Sequence, residues 1–286
     1  MATPNWILVF REAAKAVREA IGPLIGKDSA AEPLTIRGDG DVTRRIDAVA
    51  EQTAIEILQQ THEPFRLVSE ELGMKDFGDG KNGTIVLDPL DGSANAIRGI
   101  PAFSFSAAFS KSQHLSDVCE AVVADLASGD FYEARLGAGA TLNGRVMRTS
   151  KTEKLSESMI SADLNIVNLR MYLGRIIGIL NMARRKRYLG TNALEICLVG
   201  CGKYDAFIDL RGMSRVTDVA AAYLILKEAG GVFVDDAGSE VDVELVPDSR
   251  LSFVAVSNVD LCRNILINLK RASYTRLSAN LRASRD

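Results

Sequence analysis

The chain has 286 residues, of which 47% are hydrophobic and 25% are charged, and its formal net charge at pH 7 is −3. A chain of this length buries a sizeable core, either in two domains or in one layered domain. The weak negative charge gives no electrostatic reason to expect a nucleic-acid partner. No apolar run reaches the length of about 18 residues that a membrane span needs. The short apolar stretch at 6–10 runs directly into charged residues, so no signal peptide is expected.

The first half is predicted to contain two helices followed by several strands. Amphipathic helices are expected over 5–22 and 43–60, with a polar, glycine-containing loop at 27–42 between them. The turn-rich segment DFGDGKNG at 76–83 is typical of a hairpin tip. Apolar or alternating runs predict strands at 65–69, 84–87, 103–110, 118–125 and 130–134. This half therefore has an antiparallel-rich α+β pattern.

The second half alternates strands and helices. Strands are expected at 158–162, 204–210 and 252–257, with a short one before Gly190, and helices at 165–183, 192–200, 217–229 and 259–271. This βα alternation indicates a partly parallel sheet and an α/β half. The polar stretch 145–157 is typical of a linker, so the predicted division is 1–150 and 151–286.

Four cysteines and two histidines leave little material for a soft metal site. Cys197 and Cys201 are four residues apart on a predicted helix, which is not the usual zinc spacing. They are interpreted as reduced core cysteines, with a functional pair as the alternative. Reduced cysteines fit a cytoplasmic location.

The segment DPLDGS at 88–93 carries the strongest chemical signal. It follows an apolar strand, and its turn can bring the carboxylates of Asp88 and Asp91 and the Leu90 carbonyl to one point. Hard oxygen ligands of this kind suit magnesium or manganese rather than zinc. The amides that follow Asp91 begin a helical turn and can face an anion. A turn of purely structural purpose is the alternative, since such turns are common.

Two further acidic positions are ambiguous by themselves. Glu70 and Glu71 end a predicted strand, where side chains alternate between faces, so at most one of them is expected to point towards metals. Asp218 begins a predicted helix, where a carboxylate also complements the helix dipole without any metal.

The order of these segments carries a family resemblance. Asp47, the Glu70-Glu71 pair, DPLDGSAN, GTNALEICLVGCGKYDAF and TDVAAAYLILKEAGG follow one another along the chain. This order resembles the inositol monophosphatase and fructose-1,6-bisphosphatase superfamily over about residues 5–270. The segments around Arg187 and Arg211 resemble the archaeal-type dual fructose-1,6-bisphosphatase/inositol-1-phosphatases most. The resemblance implies a layered αβαβα sugar-phosphatase fold.

The resemblance also implies the chemistry of the site. It implies two or three Mg²⁺ ions, or Mn²⁺, held by Glu70, Asp88, the Leu90 carbonyl, Asp91 and Asp218. The implied catalytic residues are Asp47, Glu70 and Ser93. Ser93 occupies the position of a hydroxyl next to the attacking water, and Asp47 that of the acid that orients it. A plain exposed acid on a helix is the alternative for Asp47.

Substrate contacts follow from the same resemblance. The reacting phosphate is expected at Asp91, Gly92 and Ser93, and the sugar at Gly190, Thr191 and Asn192. Asn192 replaces the small alanine that is more usual in the family. A bisphosphate needs cations for its second phosphate, and arginine forks at Arg187 and Arg211 are the candidates. Surface charge is the alternative for both, and Arg187 lies in a general basic run.

The predicted function is therefore magnesium-dependent hydrolysis of fructose 1,6-bisphosphate, inositol 1-phosphate or both. An adenosine 3′,5′-bisphosphate phosphatase of the same fold and a non-catalytic regulatory member are the competing hypotheses. The expected partner is a small sugar or inositol phosphate, with no nucleic acid and no membrane, and the resemblance implies a homodimer or a homotetramer. The loop 27–42, which carries Asp28, Asp39 and Asp41, is hypothesised to close over the substrate and to help hold a weak extra metal.

Overall fold

The computed structural model of the chain describes residues 4–36, 42–80 and 82–270. The α-helices in these ranges are α1 (Trp6–Ile21), α2 (Arg45–Gln59), α3 (Ser93–Ile97), α4 (Leu169–Met182), α5 (Asn192–Gly200), α6 (Val216–Glu228) and α7 (259–270). None of the helices within the described ranges combines the length and the apolar character needed to cross a membrane.

Fifteen strands occur in the same ranges and form three sheets. They are β1 (Pro33–Ile36), β2 (Val42–Arg44), β3 (Phe65–Ser69), β4 (Gly73–Phe77), β5 (Thr84–Asp91), β6 (Ser104–Ser110), β7 (Val118–Asp125), β8 (Phe131–Arg135), β9 (Gly139–Leu142), β10 (Arg145–Val146), β11 (Met159–Ala162), β12 (Arg185–Arg187), β13 (Ala206–Arg215), β14 (Val232–Val234) and β15 (Arg250–Val256).

The sheets differ in strand direction. Strands β1 and β2 form a small antiparallel pair, and the large sheet has the order β10-β9-β8-β7-β6-β5-β3-β4. The large sheet is antiparallel except where β3 and β5 run parallel. The smaller sheet has the order β12-β11-β13-β15-β14 and mixes parallel and antiparallel pairs. The expected contrast between an antiparallel-rich first half and a mixed second half is confirmed.

Alternation along the strands divides the core into layers. On β5, Ile85 and Leu87 pack with α1 and α2, while Val86 points to the opposite face and packs with α5 and α6. Phe207 and Phe253 of the smaller sheet contact that same middle layer of helices. The outer face of the smaller sheet packs against α4 and α7. The result is the expected αβαβα succession of layers.

The division of the chain into two domains near residue 150 stays a prediction. Strands β3 to β10 belong to the large sheet and strands β11 to β15 to the smaller one. However, α5 and α6 of the second half pack between the two sheets and share one core cluster with both.

Two sequence-based assignments in the first half are wrong. The segment 76–83 is not a hairpin tip, because β4 lies on one side of β3 and β5 on the other, so this segment crosses between them. The tight turn lies instead between β3 and β4, at residues 70–72. Within the predicted loop 27–42, Asp28–Ala31 form a short 3₁₀-helix and Pro33–Ile36 form strand β1, while 37–41, with Asp39 and Asp41, lie outside the described residues. Because β1 pairs with β2, the second helix begins at Arg45 rather than at 43.

In the second half, α4 starts at Leu169 and not at residue 165. The amide of Asn165 donates a hydrogen bond of 2.8 Å to the Asp163 carboxylate, and the Asn165 carbonyl accepts one of 3.0 Å from Arg211. These tertiary bonds hold the segment in a turn, in competition with the helical ladder.

The packing of α1 on the large sheet gives a test of the core. Trp6 is 2% exposed and stacks on Phe10 and Phe109, and its indole N–H has no acceptor among the described residues. We expect Trp6→Ala to lower the free energy of unfolding by about 3 to 5 kcal/mol. Trp6→Phe keeps an aromatic ring and removes the unpaired N–H, so its cost should stay below about 1.5 kcal/mol.

Urea unfolding followed by circular dichroism measures both changes. Leu8→Ala is the control on the same helix, because Leu8 is 57% exposed and its truncation should cost less than about 0.5 kcal/mol. Equal losses for Trp6→Ala and Leu8→Ala would contradict the packing described for α1.

Candidate active site and metal centre

The DPLDGS segment forms an irregular end of a buried strand. Asp88 pairs with Ser106 and Asp91 with Ser104, so three steps on β5 oppose two steps on β6. This extra residue is a β-bulge, and Pro89, which cannot donate to the ladder, lies within it. The bulge bends a strand that was expected to stop at 87, and it leaves both aspartates buried.

Gly92 makes the turn that follows. It has φ of +88° and lies at the N-terminal cap of α3. A Cβ atom at this position would lie 3.0 Å from the Ala102 carbonyl oxygen and 3.3 Å from the Thr191 side chain. Only glycine combines this backbone conformation with so close an approach. Ser93 therefore begins its helix directly beside the aspartates.

Three carboxylates from distant segments meet at one point. Glu70 comes from the turn after β3, Asp88 from β5 and Asp218 from the first turn of α6. Each offers an oxygen, and these oxygens lie within 4.8 Å of one another. The neighbouring Glu71 instead accepts a hydrogen bond from the Thr43 hydroxyl. Of the two acids at the end of β3, Glu70 therefore belongs to the carboxylate cluster and Glu71 is bonded to Thr43.

Burial and repulsion between the acids raise the pKa values of the two aspartates in this cluster. Desolvation raises the pKa of Asp88 well above its ordinary value, and repulsion from Glu70, Asp91 and Asp218 adds to it. Desolvation, followed by repulsion from Glu70 and Asp91, raises the pKa of Asp218 to about 7. Such a cluster favours either protons or cations, since both remove the repulsion.

The donor set fits a hard divalent cation. One oxygen of Asp88 accepts the Leu90 amide at 3.0 Å, and Oδ2 of Asp218 accepts the Arg215 amide at 2.9 Å. These bonds orient the two carboxylates, and Oδ1 of Asp218 also accepts the Thr217 hydroxyl at 3.2 Å. Each carboxylate oxygen has more than one lone pair, so both groups can still bind a cation. An all-oxygen, carboxylate-rich set of this kind suits Mg²⁺ or Mn²⁺.

Asp91 is held by the second half of the chain. Its Oδ2 accepts hydrogen bonds from the Thr191 hydroxyl at 2.5 Å and from the Ala193 amide at 2.8 Å. Desolvation raises its pKa to about 7, although both hydrogen bonds lower it. The Oδ1 atom is left for a metal or for substrate. Thr191, predicted as a substrate contact, therefore acts here by orienting Asp91.

Ser93 and Asp47 form the expected pair. The Ser93 hydroxyl lies near enough to the Asp47 carboxylate to lower its pKa, and Asp47 accepts the Arg44 amide at 3.2 Å. Asp47 is 7% exposed, which rules out the plain exposed acid considered from the sequence. Desolvation, with repulsion from Glu70, raises the pKa of Asp47 to about 6. The pair thus lies within electrostatic reach of the carboxylate cluster.

A polar cavity of about 440 Å³ opens beside the cluster. Asp91, Gly190, Asn192, Arg211 and Asp218 are among its lining residues. Its size suits a small ligand such as a sugar phosphate. The cavity brings the predicted metal side and the predicted sugar side together.

The predicted specificity residues differ in their surroundings. Asn192 is buried and donates to the Ser214 hydroxyl at 3.0 Å. The Arg211 side chain is 7% exposed and lies 2.6 Å from Asp163 and 2.7 Å from Asp209. Arg187 lies exposed on edge strand β12, does not line the polar cavity, and bonds the Lys186 carbonyl. The structure brings Asn192 and Arg211 to the cavity, but not Arg187.

Several lining residues were not singled out from the sequence. Asp163 directly follows β11, just as Glu70 directly follows β3. The position of an acid at the end of a predicted strand could therefore have marked Asp163 as a candidate site residue. Arg250 lines the polar cavity because β15 runs beside β13, and its distance in sequence gave no indication of that. Tyr188, by contrast, is the aromatic residue that the stretch 187–195 offers for stacking on a base, and it also lines the cavity.

The raised pKa values predict how the stability of the metal-free protein depends on pH. Asp218 titrates at 3.8 when unperturbed and at about 7 in the fold. A raised folded-state pKa contributes stability below the unfolded value, and this contribution disappears as the pH rises through the folded value. We therefore expect the Tm in EDTA to fall between about pH 4 and pH 7. Thermal melts across this window measure it.

Asp218→Asn tests the origin of this effect. Asparagine keeps an acceptor for the Arg215 amide but removes one repelling charge, so the Tm in EDTA at pH 7.5 should rise by about 3 to 6 °C. The same variant should lose most of the Tm gain that Mg²⁺ gives the wild type. Asp117→Asn, at an exposed position, is the control. A lower Tm for Asp218→Asn in EDTA would argue against repulsion.

Comparison with known proteins identifies the family. The sequence profile of the inositol monophosphatase family matches residues 6–261. A fructose-1,6-bisphosphatase/inositol-1-monophosphatase from Methanothermobacter thermautotrophicus is 37% identical over 274 residues, which cover 93% of this chain and 96% of that protein. A bifunctional NADP phosphatase/NAD kinase from Methanococcus maripaludis is 34% identical over 278 residues, covering 90% of this chain and 47% of that longer protein.

Solved structures agree with this result. An inositol monophosphatase–fructose 1,6-bisphosphatase superposes with a TM-score of 0.80 at 29% identity, and the match covers 93% of this chain and 100% of the other. A Pyrococcus horikoshii protein with similarities to inositol-1 monophosphatase gives a TM-score of 0.79 at 29% identity, covering 92% of this chain and 97% of that one. The fold and the family expected from the sequence are confirmed: the chain belongs to the inositol monophosphatase family of phosphatases.

Proposed function

We propose that the chain is a magnesium-dependent phosphomonoesterase that hydrolyses fructose 1,6-bisphosphate, inositol 1-phosphate or both. The observation that carries the proposal is the carboxylate cluster of Glu70, Asp88 and Asp218. It lies near the Ser93–Asp47 pair and at the edge of a polar cavity. Relatives named as phosphatases for these two substrates support it.

The proposed metal ligands are those expected from the sequence. Two or three Mg²⁺ ions would be held by Glu70, Asp88, the Leu90 carbonyl, Asp91 and Asp218. When bound, such ions neutralise a phosphate monoester, lower the pKa of water and stabilise a leaving alkoxide. The protein contributes fixed carboxylates whose hydrogen bonds hold them in place before the substrate arrives.

Ser93 and Asp47 would control the proton of the attacking water. A Ser93 hydroxyl that donates to the nearby Asp47 carboxylate would keep the lone pairs of its oxygen free to accept a proton from water. With a pKa of about 6, Asp47 is mostly ionised near pH 7 and can still take up a proton. The pair is therefore suited to orienting water and moving its proton, with no histidine or cysteine nucleophile.

The rest of the cavity would bind the substrate. The amides at Gly92 and Ser93 are proposed to hold the reacting phosphate, together with Asp91. Gly190 and Asn192 line the cavity at the start of α5 and are proposed to contact the sugar. Positioning and electrostatics supply most of the barrier reduction in phosphoryl transfer, so rigid placement of these groups matters more than covalent chemistry.

A nucleotide phosphate is the second candidate substrate. Tyr188 lines the cavity and is 43% exposed, so its ring is available to stack on a base. Adenosine 3′,5′-bisphosphate and NADP are the candidates, and the Methanococcus maripaludis relative includes an NADP phosphatase by name. A non-catalytic member would be expected to lack a metal carboxylate, whereas all five acids of the constellation, Asp47 included, are present.

A homodimer or homotetramer and a cytoplasmic location are proposed on family membership and on the reduced cysteines alone. Light scattering coupled to size-exclusion chromatography measures the oligomeric state, and a monomeric mass would overturn that part of the proposal.

Phosphate release tests the proposed activity. With Mg²⁺, the wild type should release phosphate from fructose 1,6-bisphosphate or inositol 1-phosphate, and EDTA should abolish this release. Ser93→Ala and Asp47→Asn should each lower kcat by about 10² to 10⁴, because they remove the proton pathway. The double variant should be about as slow as either single one, since the two residues act as a unit.

Ser112→Ala, in the exposed segment before β7, is the matched control and should keep the wild-type kcat. The Mg²⁺ concentration for half-maximal rate should change little in Ser93→Ala, because Ser93 does not belong to the carboxylate cluster. Full activity of Ser93→Ala and Asp47→Asn would exclude the proposed role. If the wild type releases phosphate from adenosine 3′,5′-bisphosphate or NADP and from neither of the other two substrates, a nucleotide phosphate becomes the proposed substrate.

A further inference from the structure

Three arginines line the polar cavity beside Asp91 and Asp218, namely Arg211, Arg215 and Arg250. They differ in how much of their charge the protein already neutralises. A substrate that carries a second phosphate, which is not hydrolysed, needs a cation whose charge is not already matched by carboxylates. Assigning one of these arginines to the second phosphate rests on the proposed phosphatase function.

Arg211 is poorly placed for a phosphate. Its Nε and one terminal nitrogen donate to both oxygens of Asp209, at 2.8 and 2.7 Å, and a further N–H donates to the Asn165 carbonyl at 3.0 Å. The guanidinium also lies 2.6 Å from Asp163, so two acids surround one cation. The Asp163–Arg211–Asp209 group thus carries a net negative charge and forms a rigid wall of the cavity.

Arg215 is also engaged. Its guanidinium forms an ion pair with Glu70 of the carboxylate cluster, and its amide donates to Asp218. Its charge therefore belongs to the metal side of the cavity.

Arg250 differs from both. Within the part of the chain that the structure describes, its guanidinium donates to two backbone carbonyls alone, those of Pro247 at 2.7 Å and Ser249 at 3.1 Å. Among the described residues no carboxylate lies within ion-pair distance of it. It lines the polar cavity and also the adjoining cavity that contains Glu70 and Thr35. Arg250 is thus a cation with uncompensated charge at the junction of two cavities.

The sheet register adds a second, independent observation. Arg215 on β13 and Arg250 on β15 are direct cross-strand partners. Residues directly opposite in an antiparallel pair have side chains on the same face, with Cβ atoms about 5 Å apart, and like charges there are unfavourable. An anion bound next to both arginines removes this repulsion, as phosphate does where arginines cluster.

We propose that Arg250 binds a second, non-hydrolysed phosphate group of the substrate, and that the enzyme therefore prefers phosphomonoesters that carry another phosphate. This assignment replaces the sequence-based expectation for Arg187 and Arg211. Arg187 does not line the polar cavity, and Arg211 is paired with Asp163 and Asp209. Arg211 then acts by fixing the cavity wall and not by binding the phosphate.

Steady-state kinetics of Arg250→Gln with saturating Mg²⁺ tests the proposal. Glutamine keeps donors for the carbonyls of Pro247 and Ser249 but removes the charge. The KM for fructose 1,6-bisphosphate should rise about 10- to 100-fold with little change in kcat, as expected from loss of a charge-assisted hydrogen bond. The KM for inositol 1-phosphate, which has no second phosphate, should change less than about twofold. Arg250→Lys should lie between wild type and Arg250→Gln.

NADP is the third substrate of the test and distinguishes the source of the second phosphate. A rise in KM for NADP alone identifies the pyrophosphate of a nucleotide, and a rise for fructose 1,6-bisphosphate identifies a sugar bisphosphate. Either result supports the anion contact. Arg145→Gln, at an exposed position on β10 far along the sheet order from the site, is the control and should leave all KM values unchanged.

Two outcomes overturn the inference and a third overturns its basis. Equal changes in KM for inositol 1-phosphate and both phosphate-bearing substrates would show that Arg250 is only structural, and thermal melts of Arg250→Gln would show any loss of folding. A selective rise in KM for fructose 1,6-bisphosphate in Arg187→Gln, with none in Arg250→Gln, would restore the earlier assignment. Failure of the wild type to release phosphate from any of the three substrates with Mg²⁺ would reject the proposed function itself.

Discussion

Repulsion among buried carboxylates is the constraint on which this structure depends. Burial raises the pKa values of Asp88, Asp91 and Asp218, and repulsion from Glu70 raises all three further. A fold gains nothing from such a cluster by itself, since each ionised acid costs solvation and adds repulsion. The arrangement becomes favourable only with protons or cations in place. The surrounding architecture keeps the acids together at neutral pH.

Strands of the large sheet and the helices of the middle layer hold the acids in place. Asp88 and Asp91 are anchored by the pairing of β5 with β6, while Asp218 is held at the first turn of α6. Thr191, at the start of α5, bonds Asp91 from the other half of the chain. Because α5 and α6 pack between the two sheets, the site forms only when both halves have folded against each other. Such placement on rigid elements gives the precision that phosphoryl transfer requires.

Charge compensation divides the cavity into two parts. On one side, Arg215 pairs with Glu70 next to the proposed metals. On the other, Arg211 is held between Asp163 and Asp209, and its charge stabilises a wall rather than a ligand. Arg250 alone among these three has no carboxylate partner within the described ranges. The number of arginines in a cavity is therefore a poor guide to its affinity for phosphate, because their neighbours decide how much charge is left.

Much of the fold and of the chemistry followed from local sequence. The strand–turn–helix geometry around Asp88 and Gly92 is dictated by Pro, Gly and the apolar run before them, so the turn was predictable without a partner. The alternation of strands and helices in the second half likewise indicated a mixed sheet, which the structure confirms. The order of acidic segments indicated the family, and a family implies a fold and a set of ligands.

Only the tertiary structure decided what depends on pairing across the chain. The segment 76–83 looked like a hairpin tip, yet strand order made it a crossover, since turn residues do not say which strands they join. Nothing local to Arg211 showed that Asp163 and Asp209 would neutralise it. Nothing local to Arg250 showed that it would face Arg215 across a sheet. The sequence by itself thus determined the family and pointed to the acids that meet in the carboxylate cluster, whereas the charges left free for a substrate were decided by long-range pairing.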